Sequence, residues 1–131
     1  MSEALEILPS SWYRLELAAL PKDQQERINR KLMALAAKGW SAAVADQTVE
    51  HLQDGIHALR VVGHGPAFRP LFFVVPGRRP RVIVLTTCPA KSLTKKRQRL
   101  EAEIERAKKR REAWIEEHTK KEEEEEESDG G

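Results

Sequence analysis

The sequence has a single cysteine, Cys88, and so cannot hold an internal disulfide framework. Its four histidines are scattered, with no second cysteine beside them, and do not build a closed zinc site of the usual ligand spacing. A reducing compartment suits such a chain. Long apolar runs are missing as well. Residues 1 to 20 include Glu3, Glu6, Arg14 and Glu16 and contain no uninterrupted stretch of signal-peptide length. Nowhere does the chain approach the roughly 20 apolar residues that a membrane span needs. The expectation is a soluble, unexported cytoplasmic protein with no membrane contact, no cofactor and no bound metal.

At 131 residues the chain can bury one modest core but not two separate ones. Its net charge of +2 conceals a separation: all 23 Lys and Arg lie in residues 1 to 121, against 14 Asp and Glu, a net of +9. The last ten residues carry seven acids and no base. Residues 60 to 111 hold 15 Lys and Arg against three glutamates, a local net of +12, which points to a polyanionic partner, nucleic acid first. The plain alternative for such a run is a solvated helix face.

The first third reads as helical. Ser10 or Ser11 caps a short segment with Trp12, Leu15, Ala18 and Ala19 on one side, ending at Leu20-Pro21 because the residue before proline is pushed out of the helical region. Asp23 and Glu26 resemble a capping box for a second helix, in which Ile28, Leu32, Leu35 and Ala36 form a single buried stripe and which Gly39 ends. From about residue 47 the period changes. Gln47 to Leu52 is a short strand, and Asp54-Gly55 suits the positive backbone angles of a tight turn. Stronger strands follow at Ile56 to Val62, Arg69 to Val75 and Arg81 to Leu85, with loops short enough for antiparallel pairing. Leu71 to Val75 is apolar at every position, so this strand is covered on both faces and sits centrally. After Pro89, Leu93, Leu100, Ile104, Ala107 and Trp114 mark one face of a long helix. The six glutamates at 122 to 127 repel one another and read as a disordered end. The layout is α+β: two N-terminal helices, a curved three- to four-stranded antiparallel sheet and a C-terminal helix. The domain is expected over residues 1 to 117, with an acidic tail over 118 to 131.

Element order alone names no function, but the residues narrow it. The stretch from Val49 through Asp54-Gly55-Ile56 to Leu59-Arg60 is similar to a segment of the RelE/HigB-like toxins of type II toxin-antitoxin systems, including their phage-derived branch within the RelE/ParE superfamily. Phe68-Arg69-Pro70-Leu71-Phe72-Phe73 resembles the family's aromatic-Arg strand. Leu20-Pro21 with the helix ending at Gly39 resembles its paired helices, and Val82 to Leu85 followed by a lysine-bearing segment resembles its fourth block. The resemblance covers roughly residues 10 to 112. There are departures: Ala58 stands where the family often has Glu, Cys88-Pro89-Ala90-Lys91 replaces a Phe-x-Lys-Lys-like block, and the only tyrosine is Tyr13 rather than one near the end. The resemblance implies a toxin that cuts messenger RNA at the ribosome, covered when idle by a cognate antitoxin of helix-turn-helix type.

Cutting RNA through its own 2′-hydroxyl needs a base for that hydroxyl, positive charge for the pentavalent phosphate and an acid for the leaving oxygen, but no metal. Arg60 and Arg69 interrupt apolar strands, and their planar guanidinium forks suit a phosphate gaining charge. With the resemblance, they are the first catalytic candidates. The structural alternative is that each sits at a sheet edge or pairs with Asp54 or Glu50. His57 and His64 titrate nearest neutrality, but strand alternation puts His57 on the face opposite Arg60. His64 remains a candidate acid or base in its Gly-rich loop, or an ordinary loop histidine. Lys91 matches the family's post-strand lysine, or is a surface lysine leading into the helix. Lys95, Lys96, Arg97 and Arg99 can track a phosphate backbone. Two other readings stay open: a ParE-like toxin directed at DNA gyrase, and a non-catalytic module that binds nucleic acid or the ribosome.

Overall fold

The computed structural model describes residues 5–61, 69–78, 81–88 and 97–129, the last segment with side chains only from 100 to 119. Along these residues the chain forms β1 (Leu5–Pro9), α1 (Ser11–Ala18), α2 (Lys22–Lys38), α3 (Trp40–Ala45), β2 (Val49–Gln53), β3 (Ile56–Leu59), β4 (Leu71–Val74), β5 (Arg81–Thr87) and α4 (Arg97–Asp129). The strands make one sheet in the order β1-β5-β4-β3-β2. The expected α+β class holds. The sheet is larger than predicted and mixed, because β1 adds a parallel edge strand along β5 whereas the other pairings are antiparallel.

β4 is the middle strand, as its unbroken apolar run requires. Phe72 joins Tyr13, Ile28, Leu35, Leu59 and Leu85 in a core under the N-terminal helices. Leu71 and Phe73 join Ile56, Ala58, Val84, Ile104 and Ala107 in a second core under α4. The sheet is thus sandwiched, and two aromatics of one strand each contribute about 1.5–3 kcal/mol of burial to different layers. The predicted stripe of α4 is buried at Ile104 and Ala107 and partly at Leu100 and Trp114, while Leu93 lies outside the described residues.

Several local expectations are corrected. In α1 the inward face is Tyr13 and the partly buried Leu17, continued by Leu20 just past the helix, not the side carrying Leu15, which is 74% exposed. Its cap is Ser10, whose hydroxyl accepts the Tyr13 N–H at 3.2 Å. Asp23 does not cap α2: Pro21 occupies that position, with Asp23 in the first turn, where its charge favours the helix dipole. Ala36 is exposed. Gly39 ends α2 as expected, at φ 89°, and α3 starts at once. Asp54 and Gly55 both take positive φ, 53° and 78°, which closes the β2–β3 hairpin. Lys108 of α4 holds the Asp54 carboxylate at 3.1 Å, and Arg111 donates to the Asp54 carbonyl. Helix α4 runs on through the glutamate run to Asp129. Glu is a good intrinsic helix former, which opposes the repulsion of like charges four residues apart.

Candidate functional site

Three neighbouring strands end together at one corner of the sheet. The Arg60 N–H donates to the Thr48 carbonyl at 2.9 Å, and the Leu59 N–H donates to the Pro70 carbonyl at 2.8 Å. These two bonds bring residues 47–50, 59–60 and 69–70 alongside one another, though they are far apart in sequence. The corner is braced by the turn after α3. The Asp46 carboxylate accepts from the Thr48 N–H (3.0 Å) and hydroxyl (2.6 Å), and its other oxygen pairs with Lys38. Those contacts, the Lys38 hydrogen bond first and those from Thr48 next, hold the Asp46 carboxyl well below the usual carboxylate range. Between Asp46 and Thr48, Gln47 sits in the left-handed region at φ 64°, an uncommon conformation for a residue with a side chain.

Arg60 and Arg69 converge on this corner. They line a hollow of about 370 Å³ with Gln47, Val49 and Glu50. Arg69 donates to the Glu50 carboxylate at 3.0 Å, and their side chains are 20% and 46% exposed. Its Nε is buried without a partner among the described residues. Arg60 donates to the Gln47 side-chain oxygen at 3.3 Å and makes no ion pair among the described residues. One half of the pairing alternative is therefore realised, Arg69 with Glu50, while Asp54 is taken by Lys108. Glu50 stands directly across from Ala58 in the β2–β3 register. Glu50 thus stands beside the position at which the resemblance leads one to expect a glutamate.

The chemistry available in the hollow is specific. Arg60, with no ion pair among the described residues, Arg69, with one bond to Glu50, the partly exposed Glu50 carboxylate and the Gln47 amide line one cavity, a set that can hold a phosphate and accept a proton from a neighbouring hydroxyl. Sequence reasoning named the two arginines. It treated Glu50 only as a neutralising partner and did not single out Gln47; the cross-strand pairing of Glu50 with Ala58 was the signal available for the former.

His57 does not line this hollow. Its ring stacks on Phe72 at 5.5 Å and meets Trp40 and His51 edge-on. Burial, then the neighbouring His51, lowers its pKa, so it stays neutral at neutral pH. Tyr13 is a core residue, 2% exposed, and burial raises its hydroxyl far above neutrality. His64, Lys91, Lys95 and Lys96 lie outside the described residues, and so do the side chains of Arg97 and Arg99, whose backbone opens α4. Much of the remaining charge on α4 holds the fold together: Arg106 and Arg110 face Glu16, and Lys108 faces Asp54 and Glu105. Among the described residues no three His, Cys, Asp or Glu side chains are grouped to hold a metal ion, and no helix is long and apolar enough to cross a membrane.

The family model of phage-derived Gp49-like proteins (DUF891) matches residues 15–112, a span that contains β2 to β5 and the whole arginine corner. No curated protein and no solved structure matches the chain.

Proposed function

The chain belongs to the phage-derived Gp49-like family, a RelE/ParE-like toxin family of toxin-antitoxin systems, and from that premise we propose that it is a cytoplasmic messenger-RNA endoribonuclease. In this reading it cuts translated messages at the ribosome without a metal. The observation that supports the reading is the convergence of Arg60 and Arg69 with Glu50 on one hollow. The scissile phosphate sits between the two guanidinium groups. Glu50 takes the proton of the 2′-hydroxyl, the freed oxygen attacks phosphorus, and the 5′-oxygen leaves with a proton to give a 2′,3′-cyclic phosphate and a new 5′-hydroxyl end. Arg69 releases its hydrogen bond to Glu50 as the phosphate arrives, exchanging one anion for another. His64 and Lys91 are the candidates to supply the leaving oxygen with its proton, and Lys95, Lys96, Arg97 and Arg99 the candidates to hold flanking RNA.

A toxin of this kind is held inactive by a cognate antitoxin, for which a helix-turn-helix protein is the proposed type. The test is induced expression in a bacterial host with mapping of new messenger-RNA ends, for the parent and for Arg60→Ala and Arg69→Ala. New ends confined to translated messages, and lost in both variants, are expected. Arrest of growth with damaged DNA and no new RNA ends would transfer the family framework to a gyrase-directed toxin. Variants that fold and cut like the parent would remove the arginines from the chemistry.

A further inference from the structure

The arginine hollow does not end at Arg60. A second hollow of about 210 Å³, lined by Lys31, Asp46, Gln47, Thr48 and Arg60, shares both Gln47 and Arg60 with the first. The two hollows therefore adjoin at Gln47 and Arg60. Lys31 reaches this second hollow from α2, half-buried, and makes no ion pair or hydrogen bond among the described residues. Lys38, on the same helix, is already committed to Asp46 and Thr48. The one carboxylate lining this hollow, Asp46, is already taken by Lys38, so Lys31 is a cation free to meet an anion supplied from outside.

Gln47 is held in its conformation by more than its own preference. Asp46, Thr48 and Lys38 lock the turn on both sides, and the backbone of Gln47 is kept left-handed at φ 64°. Strain of this kind persists where the surroundings over-determine it, and it gathers at ligand sites. The result is a side-chain amide whose oxygen accepts from Arg60 and whose nitrogen finds no acceptor among the described residues. That leaves two donors where the hollows adjoin.

We propose that this second hollow is a subsite for the nucleotide next to the cut, with Lys31 on its phosphate and Gln47 donating to its ribose or base. The inference rests on the ribonuclease reading of the first hollow. It makes the enzyme recognise at least two successive phosphates, one at the arginine pair and one at Lys31.

The probes are a fluorescent, mixed-sequence 2′-O-methyl RNA octanucleotide, which cannot be cut, and an unlabelled dinucleotide with a single phosphate as competitor. Lys31→Ala should weaken octanucleotide binding severalfold and flatten its salt dependence by about 0.7 in log–log slope, the increment of one phosphate contact on a single strand. It should leave competition by the dinucleotide unchanged, and Lys31→Arg should restore the octanucleotide. Gln47→Gly, which suits a positive φ, should fold as well as the parent and lose affinity for the octanucleotide, and for the dinucleotide to a smaller extent because Gln47 also lines the first hollow. Arg60→Ala should weaken both ligands. If Arg60→Ala does so while Lys31→Ala changes nothing, the subsite is wrong and the ribonuclease reading stands. The subsite is equally overturned if Arg30→Ala, which removes an exposed charge one position along α2, flattens the slope as much as Lys31→Ala. If neither Arg60→Ala nor Arg69→Ala affects either ligand, the ribonuclease reading itself falls.

Discussion

Two arginine–glutamate pairs of the same chemistry stand in different parts of this molecule and are put to different uses. At the α1–α4 seam, Arg110 Nη1 donates to Glu16 at 2.7 Å, to the Thr86 carbonyl at 2.9 Å and to the Thr87 hydroxyl at 3.5 Å. Glu16 in turn accepts the Cys88 N–H at 3.1 Å and faces Arg106. Every contact there closes on another part of the fold. At the sheet corner, Arg69 meets Glu50 through one bond, its Nε has no partner, and the carboxylate is nearly half exposed. A saturated pair between two helices and a strand end is a clasp. An unsaturated pair in a hollow, beside the unpaired Arg60, still has capacity for a ligand.

The largest effects should separate the two pairs by what each variant loses. Arg69→Ala and Arg60→Ala should each reduce RNA cleavage by about two to three orders of magnitude, the usual cost of removing one donor aimed at developing charge, with little change in the denaturation midpoint. Arg110→Ala should do the reverse. It strips Glu16 and the Thr86 carbonyl of a charged donor in a half-buried seam and should cost about 2 kcal/mol of stability, read as a lower urea midpoint, with cleavage per folded molecule retained. If Arg110→Ala abolished cutting while leaving stability intact, the seam would belong to the site and the distinction would be lost.

A smaller and sharper difference lies in the coupling within each pair. In a double-mutant cycle on stability, Arg110 with Glu16 should couple by about 1–2 kcal/mol, whereas Arg69 with Glu50 should couple by less than about 1 kcal/mol because solvent screens the exposed carboxylate. Equal couplings would mean that Glu50 is a structural partner of Arg69 after all. A thiol test belongs to the same seam. Burial, then Glu16, pushes the Cys88 thiol up to about 12, so alkylation of native protein at neutral pH should be slow and should become fast in Arg110→Ala if the clasp is what keeps the seam shut.

The clasp also explains which parts of the fold were legible. Strand β4 and the stripes of α2 and α4 follow from apolar periodicity because nothing charged interrupts them. In α1 the periodicity misleads, since Glu16 falls on the inward side between Tyr13 and Leu17 and is tolerable there only because Arg110 arrives from α4, 94 residues away. Strand β1 carries no hairpin signal: it is five residues long, ends in proline and pairs in parallel with a strand more than seventy positions on. Helix α3, six residues, is too short to show a period. At the site, Arg60 and Arg69 were visible as charges at the ends of apolar runs, and they stand just outside β3 and β4. Glu50 becomes visible only once the Asp54-Gly55 turn fixes the register that sets it opposite Ala58. The left-handed backbone of Gln47 leaves no mark in the sequence, because it is imposed by Lys38 and Asp46 rather than by Gln47 itself.

The smallest expected effect concerns His57, on the sheet face opposite α4, beside Trp40 and Phe72. Its folded pKa lies below the ordinary 6.5, chiefly from burial. The unfolded chain therefore binds a proton at a pH where the folded chain does not. Between 6.5 and the depressed folded value, stability must fall as the pH falls, and above 6.5 this contribution is fully present. His51, Trp40 and Phe72 surround the ring, and the hydrogen bond to the Gly55 backbone offsets the trend only in part. Urea midpoints measured from pH 8 down to 5 should decline for the parent. They should decline less for His57→Phe, which keeps the stack on Phe72 and leaves no buried nitrogen unpartnered. Cleavage should be unaffected by His57→Phe at neutral pH, because the ring lines neither hollow. Loss of cutting in that variant, with the fold intact, would bring the far face of the sheet into the chemistry and undo the assignment of function to the arginine corner alone.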